Sequence, residues 1–165
     1  MSEEEQSSLD GAWREAVDAS QLELWANVPH AFLYDIVWKE EGVLVATEPG
    51  QNSLFEFEDG ASPQAVILPL EEIPIEPVDG QKTVESVPCG IDLLHGVPLV
   101  GHLGGGLKDD QGNPTGQPFD QRVGRMTRLE RDGPVVIADG LPSVMDVVVL
   151  DSGQVLLICW DYYMR

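Results

Sequence analysis

Residues 143–161, SVMDVVVLDSGQVLLICWD, combine one aspartate, a short apolar run, a turn with glycine and a second apolar run. The same order occurs twice earlier in the chain, as FLYDIVWKEEGVLVATEPG at residues 32–50 and as PCGIDLLHGVPLVGHLGGG at residues 88–106. The aspartates of the three segments are 57 and 54 residues apart: Asp35, Asp92 and Asp146. Apolar runs on both sides of a turn are typical of paired β-strands, so this spacing indicates a repeated β unit.

The segments that follow extend the unit to four strands. SLFEFEDG at residues 53–60 and GRMTRLERDG at residues 124–133 each end in Asp-Gly, which favours a hairpin turn. AVILPL at residues 65–70 and PVVIADGL at residues 134–141 then supply a fourth apolar run. LELWANV at residues 22–28 is similar to one more copy of that fourth strand. The chain therefore predicts an all-β fold of four-stranded antiparallel units, about three per chain.

Three stretches lie outside the repeat. Residues 1–21 comprise an acidic tail and a predicted short N-terminal helix over residues 9–21, so we expect the β domain to span residues 22–165. Residues 71–85 and 104–123 interrupt the period and are rich in turn-forming and polar residues, which predicts two long surface loops. These two loops offer a place for a protein partner.

The charge of the chain limits its partners. Its 165 residues include 29 acidic and 9 basic side chains, for a formal net charge of −20. This charge repels nucleic-acid phosphates and anionic lipids, so we expect neither a nucleic-acid nor a membrane partner. The same acidity leaves open a mimic of nucleic acid that sequesters a basic protein. No secretory signal is recognisable, and Cys89 and Cys159 lie in apolar runs, so we expect buried thiols and a cytoplasmic protein.

The four-stranded unit resembles the blades of six-bladed β-propellers of the gluconolactonase, senescence-marker and NHL-repeat type. The shared pattern is a glycine and an arginine, an apolar strand, an Asp-Gly turn, ADGL at residues 138–141 and a new inner strand, and it covers roughly residues 22–165. Propellers close with about 4–8 blades, so the resemblance implies a half-propeller here. Two chains joined head to tail would supply six blades. A small open sandwich or barrel is the alternative.

The resemblance gives the three repeated aspartates a candidate role. In a propeller the first strand of each blade is innermost, so Asp35, Asp92 and Asp146 would converge near the axis. Converging carboxylates repel one another unless a proton or a cation neutralises them, and oxygen-rich sites suit Ca²⁺. The family holds a divalent ion on this axis, and Asn27 and Glu48 are the nearest matches to its ligands. Alternatively, each aspartate accepts backbone N–H bonds and locks adjacent blades together.

Apolar side chains at the two ends of the repeat predict the interface of a homodimer. The candidate interface residues are Leu22, Leu24, Trp25, Trp160, Tyr162 and Tyr163. The chain contains no nucleophile-elbow motif and no phosphate-binding loop. We therefore expect a non-catalytic binding or assembly module. A Ca²⁺-dependent, lactonase-like hydrolase and the acidic nucleic-acid mimic are the alternatives.

Overall fold

The computed structural model describes Val28 and residues 30–58, 65–116 and 121–160. Within these ranges the chain forms fourteen β-strands and one 3-10 turn, Pro49–Gln51. In chain order the strands are β1 (Ile36–Glu40), β2 (Val43–Glu48), β3 (Ser53–Glu58), β4 (Ala65–Pro69), β5 (Ile73–Val78), β6 (Gln81–Val84), β7 (Pro88–Leu94), β8 (Val97–His102), β9 (Leu107–Lys108), β10 (Pro114–Gly116), β11 (Gly124–Glu130), β12 (Gly133–Leu141), β13 (Ser143–Val149) and β14 (Val155–Trp160).

The strands form two four-stranded sheets and three hairpins, all with antiparallel pairing. Sheet 1 has the order β1-β2-β3-β4, and sheet 2 has the order β7-β8-β11-β12. Strands β13 and β14 form a two-stranded unit, which we name hairpin 3; β5–β6 and β9–β10 form smaller hairpins. Tight turns connect the first two strands of each sheet because Gly42 (φ 77°) and Gly96 (φ 78°) adopt the left-handed conformation that favours glycine.

The main core lies between sheet 1 and sheet 2. Successive side chains of a strand point to opposite faces, so every second apolar residue can enter one core. The buried members of this cluster are Val45, Leu54, Leu70, Ile91, Val100 and Leu129. Burying a side chain of this kind contributes roughly 1.5–3 kcal/mol, so these residues hold the two sheets face to face.

A second core joins sheet 2 to hairpin 3. Its buried residues are Leu99, Met126, Val144 and Val147. Strand β13 packs closely against β7 and β8 because two glycines face it. A Cβ atom on Gly90 would lie 2.4 Å from Asp146 Cα, and one on Gly101 would lie 2.5 Å from Val144 Cγ1. The first strands of the three units, β1, β7 and β13, are therefore neighbours, with β7 in contact with both others.

These strands confirm the predicted all-β fold and its four-stranded antiparallel sheets. The third unit contributes the two strands of hairpin 3 to the described residues. The predicted helix over residues 9–21 lies outside the described residues, and of the predicted strand over residues 22–28 only Val28 is described. No helix in the described part of the chain has the length and apolar character needed to cross a membrane.

The two insertions differ from the surface loops that the sequence predicts. Residues 71–85 contain the β5–β6 hairpin, in which Ile73 and Val84 pair across the two strands and are buried together with Val123. The prolines of β5 are tolerated because β5 belongs to a two-stranded sheet, where every strand is an edge. Residues 104–116 contain the short pair β9–β10, and residues 117–120 are outside the described part.

Candidate functional site

Asp35 connects sheet 1 to sheet 2 at the start of β1. Its Oδ1 accepts the N–H of Ile36 at 2.8 Å, and its Oδ2 accepts the N–H of Ile91 in β7 at 2.9 Å. A carboxylate that accepts two backbone N–H groups is held in one orientation and satisfies donors that would otherwise be unpaired. Asp35 therefore joins the first strands of the two sheets.

Asp92 repeats this geometry one unit further along the chain. Its Oδ1 accepts the N–H of Leu93 at 2.7 Å, and its Oδ2 accepts the N–H of Val149 in β13 at 2.7 Å. In both cases one oxygen binds the residue that follows in the same strand, and the other oxygen binds the first strand of the next unit. Asp92 therefore joins sheet 2 to hairpin 3.

Asp146 shows only the first half of this pattern. Its Oδ1 accepts the N–H of Val147 at 2.8 Å. Its Oδ2 receives no hydrogen bond from any residue that the structure describes. The register pairs Asp146 with Ile158, and its Oδ1 lies against β7 of sheet 2, since a Cβ atom on Gly90 would come within 2.5 Å of it.

Glu48, the fourth predicted metal ligand, is engaged elsewhere. It ends β2 with 1% of its surface exposed. Its Oε1 accepts the N–H of Phe32 at 2.8 Å, and its Oε2 accepts the N–H of Gln51 in the 3-10 turn. Both acceptors thus hold backbone, so Glu48 fixes the segment before β1 and the turn after β2.

The structure does not assemble the predicted metal ligands into one group. Among the described residues, no three His, Cys, Asp or Glu side chains are placed so that they could hold one metal ion. Asp35 and Asp92 each use both oxygens on backbone N–H groups, which is the alternative role that the sequence left open. The Ca²⁺ site stays a prediction, and Asn27 lies outside the described residues.

The face of sheet 1 that is turned away from sheet 2 is apolar; we name it the first end face. The register places its residues in two rows, Ile36–Ala46–Phe55–Ile67 and Trp38–Leu44–Phe57. Val28 and Ala31 pack against its buried centre, formed by Leu44, Ala46, Phe55 and Phe57. Its margins are open, since Ile36 is 55% exposed and Ile67 is 53% exposed. No charged side chain interrupts either row.

The outward face of hairpin 3 is also apolar; we name it the second end face. It comprises Val148, Leu156, Ile158 and Trp160, which the register places on one side of the hairpin. Leu156 is 51% exposed and Ile158 is 55% exposed. Contiguous apolar side chains at this exposure are typical of an interaction surface in a chain of such high charge. Trp160, one of the predicted interface residues, belongs to this face, and its role in an interface stays a prediction.

Other predicted interface residues cannot be placed. Leu22, Leu24 and Trp25, together with Tyr162 and Tyr163, lie outside the described residues. The described margins of the first end face include apolar residues that the sequence analysis did not single out, namely Ile36, Trp38 and Ile67. Strand alternation would have identified Ile36 and Trp38, because both point to one face of sheet 1. The charged Lys39 and Glu56 point to the other face.

A buried polar network that no sequence motif marks lies inside sheet 2. His102 Nδ1 is 3.1 Å from Ser86 Oγ, and His102 Nε2 is 2.9 Å from Thr127 Oγ1. Both nitrogens of a neutral imidazole thus have a hydroxyl partner, since a hydroxyl can donate or accept. Desolvation by burial, aided by the nearby Arg125 guanidinium, lowers the pKa of His102 to about 3.

Ser86 and His102 are residue types that serve as nucleophile and base in hydrolases, but here they are inaccessible to a substrate. Ser86 and Thr127 are buried, and His102 has 0% of its surface exposed, so no substrate can reach the serine. The neighbouring Arg125 forms an ion pair with Asp139 at 2.6 Å and donates to the carbonyl oxygens of Glu71 and Glu72. These groups tie the β5–β6 hairpin to sheet 2, which is a structural role.

The cysteines differ from the prediction of two buried thiols. Cys89 is buried in β7, and desolvation raises the pKa of its thiol to about 11. Cys159, in β14, is exposed. The high pKa of Cys89 makes it a poor nucleophile at neutral pH.

A cleft of about 500 Å³ opens where the turns of sheets 1 and 2 meet. Its basic side chains include Lys39 and Arg128, each paired with a glutamate. Lys39 Nζ lies 2.9 Å from Glu56 Oε2, and Arg128 pairs with Glu130. Arg131 also lines the cleft, together with the acidic Glu40 and Glu130.

Comparison of the chain with protein-family models, with curated proteins and with solved structures gives no match. The end faces and the aspartate bridges therefore carry the functional interpretation.

Proposed function

We propose that this protein is a non-catalytic assembly module, a half-propeller that homodimerises head to tail into a six-bladed ring with a surface for binding. In such a dimer the first end face of each chain packs against the second end face of the other. A head-to-tail interface generates a closed ring when the rotation between subunits allows closure. Each dimer then contains two identical interfaces and no open end.

The observation that carries the proposal is the pair of end faces. The chain has a net charge of −20, yet both faces are built from apolar rows. Burying the exposed part of this surface, the margins of the first end face and the side chains of the second, is favourable by roughly 25 cal/mol per Å². The two faces also terminate the stack of units at opposite ends, as a head-to-tail contact requires.

The repeat supports a second copy of this chain as the partner. Sheet 1 already packs its other face against sheet 2, and hairpin 3 packs its other face against sheet 2. Packing of one unit on the next is therefore the way this chain buries apolar faces. A second copy supplies two further apolar faces, one for the exposed margins of the first end face and one for the second end face.

A binding role without catalysis is supported by the placement of the reactive groups. Ser86 and His102 are enclosed in the core, Cys89 has a raised pKa, and the bridging aspartates hold backbone. The accessible clefts between units, such as the one beside Lys39, provide concave surface instead. We propose that the ring presents these clefts and the hairpins of residues 71–85 and 104–116 to its ligand.

The experiment is the native mass of three proteins by sedimentation equilibrium. The wild type should have twice the chain mass of 18.0 kDa. Ile158→Glu places a charge in the second end face and should give a folded monomer. Ile137→Glu is the matched control, since Ile137 is 47% exposed but lies on β12, the outer strand of sheet 2; it should remain dimeric. A monomeric wild type, or a dimeric Ile158→Glu protein, would refute the proposal.

A further inference from the structure

A cavity of about 340 Å³ is formed where the two insertions meet the start of hairpin 3; we name it the glycine cavity. Its volume falls in the range of roughly 300–1,000 Å³ that is typical of pockets for small molecules. The chain lines it with residues 103–108, Glu85, Val87, Pro114, Gly116 and Ser143. The cavity is therefore large enough to hold a small organic molecule.

Ser143 brings an unpaired hydroxyl to the wall of this cavity. Only 5% of its surface is exposed, and its Oγ makes no hydrogen bond to another residue that the structure describes. Every fully enclosed side-chain oxygen and nitrogen among the described residues has a partner, so Ser143 Oγ opens onto the cavity that its residue lines. An unpaired hydroxyl in a buried wall is unfavourable, and a ligand with a matching polar atom would satisfy it.

Val87 lines the same cavity in an unusual backbone conformation. Its φ of 46° lies in the left-handed region, which β-branched residues rarely adopt because their Cβ atom crowds the backbone. Two hydrogen bonds hold it there. The Val87 N–H donates to Asn52 Oδ1 at 2.9 Å, and the Val87 carbonyl oxygen accepts the N–H of Leu103 at 3.1 Å. Backbone strain of this kind is concentrated at functional sites, so Val87 is a second indication of a ligand.

The charged groups of the glycine cavity favour an uncharged ligand. Lys108 Nζ lies 2.6 Å from Glu85 Oε1. An anion that approaches Lys108 therefore also meets the carboxylate, and a cation that approaches Glu85 also meets the ammonium group. After forming this ion pair, the ammonium group keeps further N–H donors and the carboxylate keeps a second acceptor oxygen. A neutral group that has both a donor and an acceptor can use both partners.

The remaining walls match an amide with attached alkyl groups. Residues 104–106 are three consecutive glycines, so the wall that they form consists of peptide groups alone. Val87, Leu103 and Leu107 add apolar surface beside these polar groups. An amide carries an acceptor oxygen and N–H donors, and its alkyl groups can cover the apolar surface. A polyhydroxylated ligand would instead place hydroxyls against that surface without partners.

We infer that the glycine cavity binds an uncharged amide, with Ser143 Oγ hydrogen-bonded to the amide and the Glu85–Lys108 pair excluding charged analogues. The inference rests on the proposed binding role and names the ligand class. It does not depend on the dimer, because one chain supplies all of the lining residues. A free small molecule and a peptide group of another protein share this chemistry, and the test distinguishes them.

The test uses three probes that differ in charge. N-acetyl-leucinamide is uncharged, N-acetyl-leucine carries a carboxylate, and leucinamide carries an ammonium group. Each is titrated into the isotope-labelled full chain, and dissociation constants come from NMR shifts of the N–H signals of residues 104–108. A fourth probe, the capped peptide N-acetyl-Ala-Leu-Ala-amide, identifies the source. Tighter binding of this peptide indicates a protein partner, and binding of N-acetyl-leucinamide alone indicates a free molecule; both results support the inference.

Two variants separate a ligand contact from a structural role. Ser143→Ala should raise the dissociation constant of N-acetyl-leucinamide about tenfold, as expected for one lost hydrogen bond. Its urea midpoint should not fall, because the hydroxyl that it removes has no partner in the described part of the fold. Ser152→Ala, in the exposed turn of hairpin 3, is the matched control and should bind as the wild type does.

The neutral probe should bind about tenfold more tightly than either charged probe. Absence of shifts with the neutral probe, equal binding of the three probes, or unchanged binding by Ser143→Ala would overturn the inference. A lower urea midpoint for Ser143→Ala would also overturn it, since the hydroxyl would then serve the fold. The native mass of the same samples keeps the two proposals apart. A monomer that binds the neutral probe refutes the ring alone, and a dimer that does not bind it refutes the amide site alone.

Discussion

The buried imidazole of His102 makes the stability of this fold depend on pH. Folding lowers the pKa of His102 from the ordinary 6.5 to about 3, because burial removes water from the charged form and Arg125 repels it. Between these two values the unfolded chain binds more protons than the folded chain. Stability is therefore fully present above pH 6.5 and is lost as the pH falls through this window.

The size of the effect follows from the two pKa values. Well inside this window, each unit by which the pH falls lowers the free energy of unfolding by about 1.4 kcal/mol. Lowering the pH from 7 to 5 should therefore destabilise the protein by about 2 kcal/mol. This is a large fraction of the stability of a small domain. Protonated His102 would donate through both ring nitrogens, so the hydroxyl of Ser86 or Thr127 that donates to the neutral ring would have to reorient and accept.

The assay is urea unfolding at several pH values for the wild type and for His102→Gln. The variant keeps a polar side chain but cannot take up the proton, so every other titrating group appears equally in both proteins. The variant should be less stable at pH 7, and the difference between the two proteins should shrink by about 2 kcal/mol at pH 5. Parallel pH profiles, or an imidazole that titrates near pH 6.5 by NMR in the folded protein, would refute the buried neutral histidine.

Two further predictions concern the contacts between units. Gly90→Ala should destabilise the fold by about 1–3 kcal/mol, because its Cβ would lie 2.4 Å from Asp146 Cα. Gly50→Ala is the control and should destabilise the fold less, because its Cβ would meet only the end of the Glu48 side chain, at 3.3 Å. Equal urea midpoints for the two variants would contradict this packing. Addition of a chelator should leave the melting temperature and the native mass unchanged, because Asp35 and Asp92 already bind backbone N–H groups. A clear loss of either on chelation, restored by Ca²⁺, would instead establish the metal centre that the sequence predicted.

The strands themselves could be predicted from the sequence because their signals are local. Apolar alternation and turn glycines predicted the positions of β1–β4, β7, β8 and β11–β14 before any tertiary contact was known. The turn glycines Gly42, Gly96 and Gly153 all have φ between 77° and 80°, as tight turns require. The β5–β6 hairpin was not predicted because its prolines are typical of a loop. The burial of Ile73 and Val84, which indicates strands, depends on contact with Val123, far away in the sequence.

The roles of the candidate site residues could not be predicted, because they depend on tertiary contacts between segments that are far apart in the sequence. Spacing identified Asp35, Asp92 and Asp146 as equivalent, but whether they converge on one ion or bridge neighbouring strands depends on which way each strand faces. The irregular register between Val144 and Asp146 also shifts the side to which β13 residues point. The Ser86–His102–Thr127 network spans residues 16 and 25 positions apart and leaves no motif.

The native mass of the wild-type protein tests the central claim most directly. Sedimentation equilibrium across nanomolar to micromolar concentrations should give twice the 18.0 kDa chain mass at the upper end, with reversible dissociation on dilution. That result would show that the chain associates with a second copy, and dissociation of the Ile158→Glu protein would locate the contact at the second end face. A single chain mass at every concentration would contradict the head-to-tail ring, and a mass that keeps rising with concentration would indicate an open filament of the same contacts instead of a closed dimer.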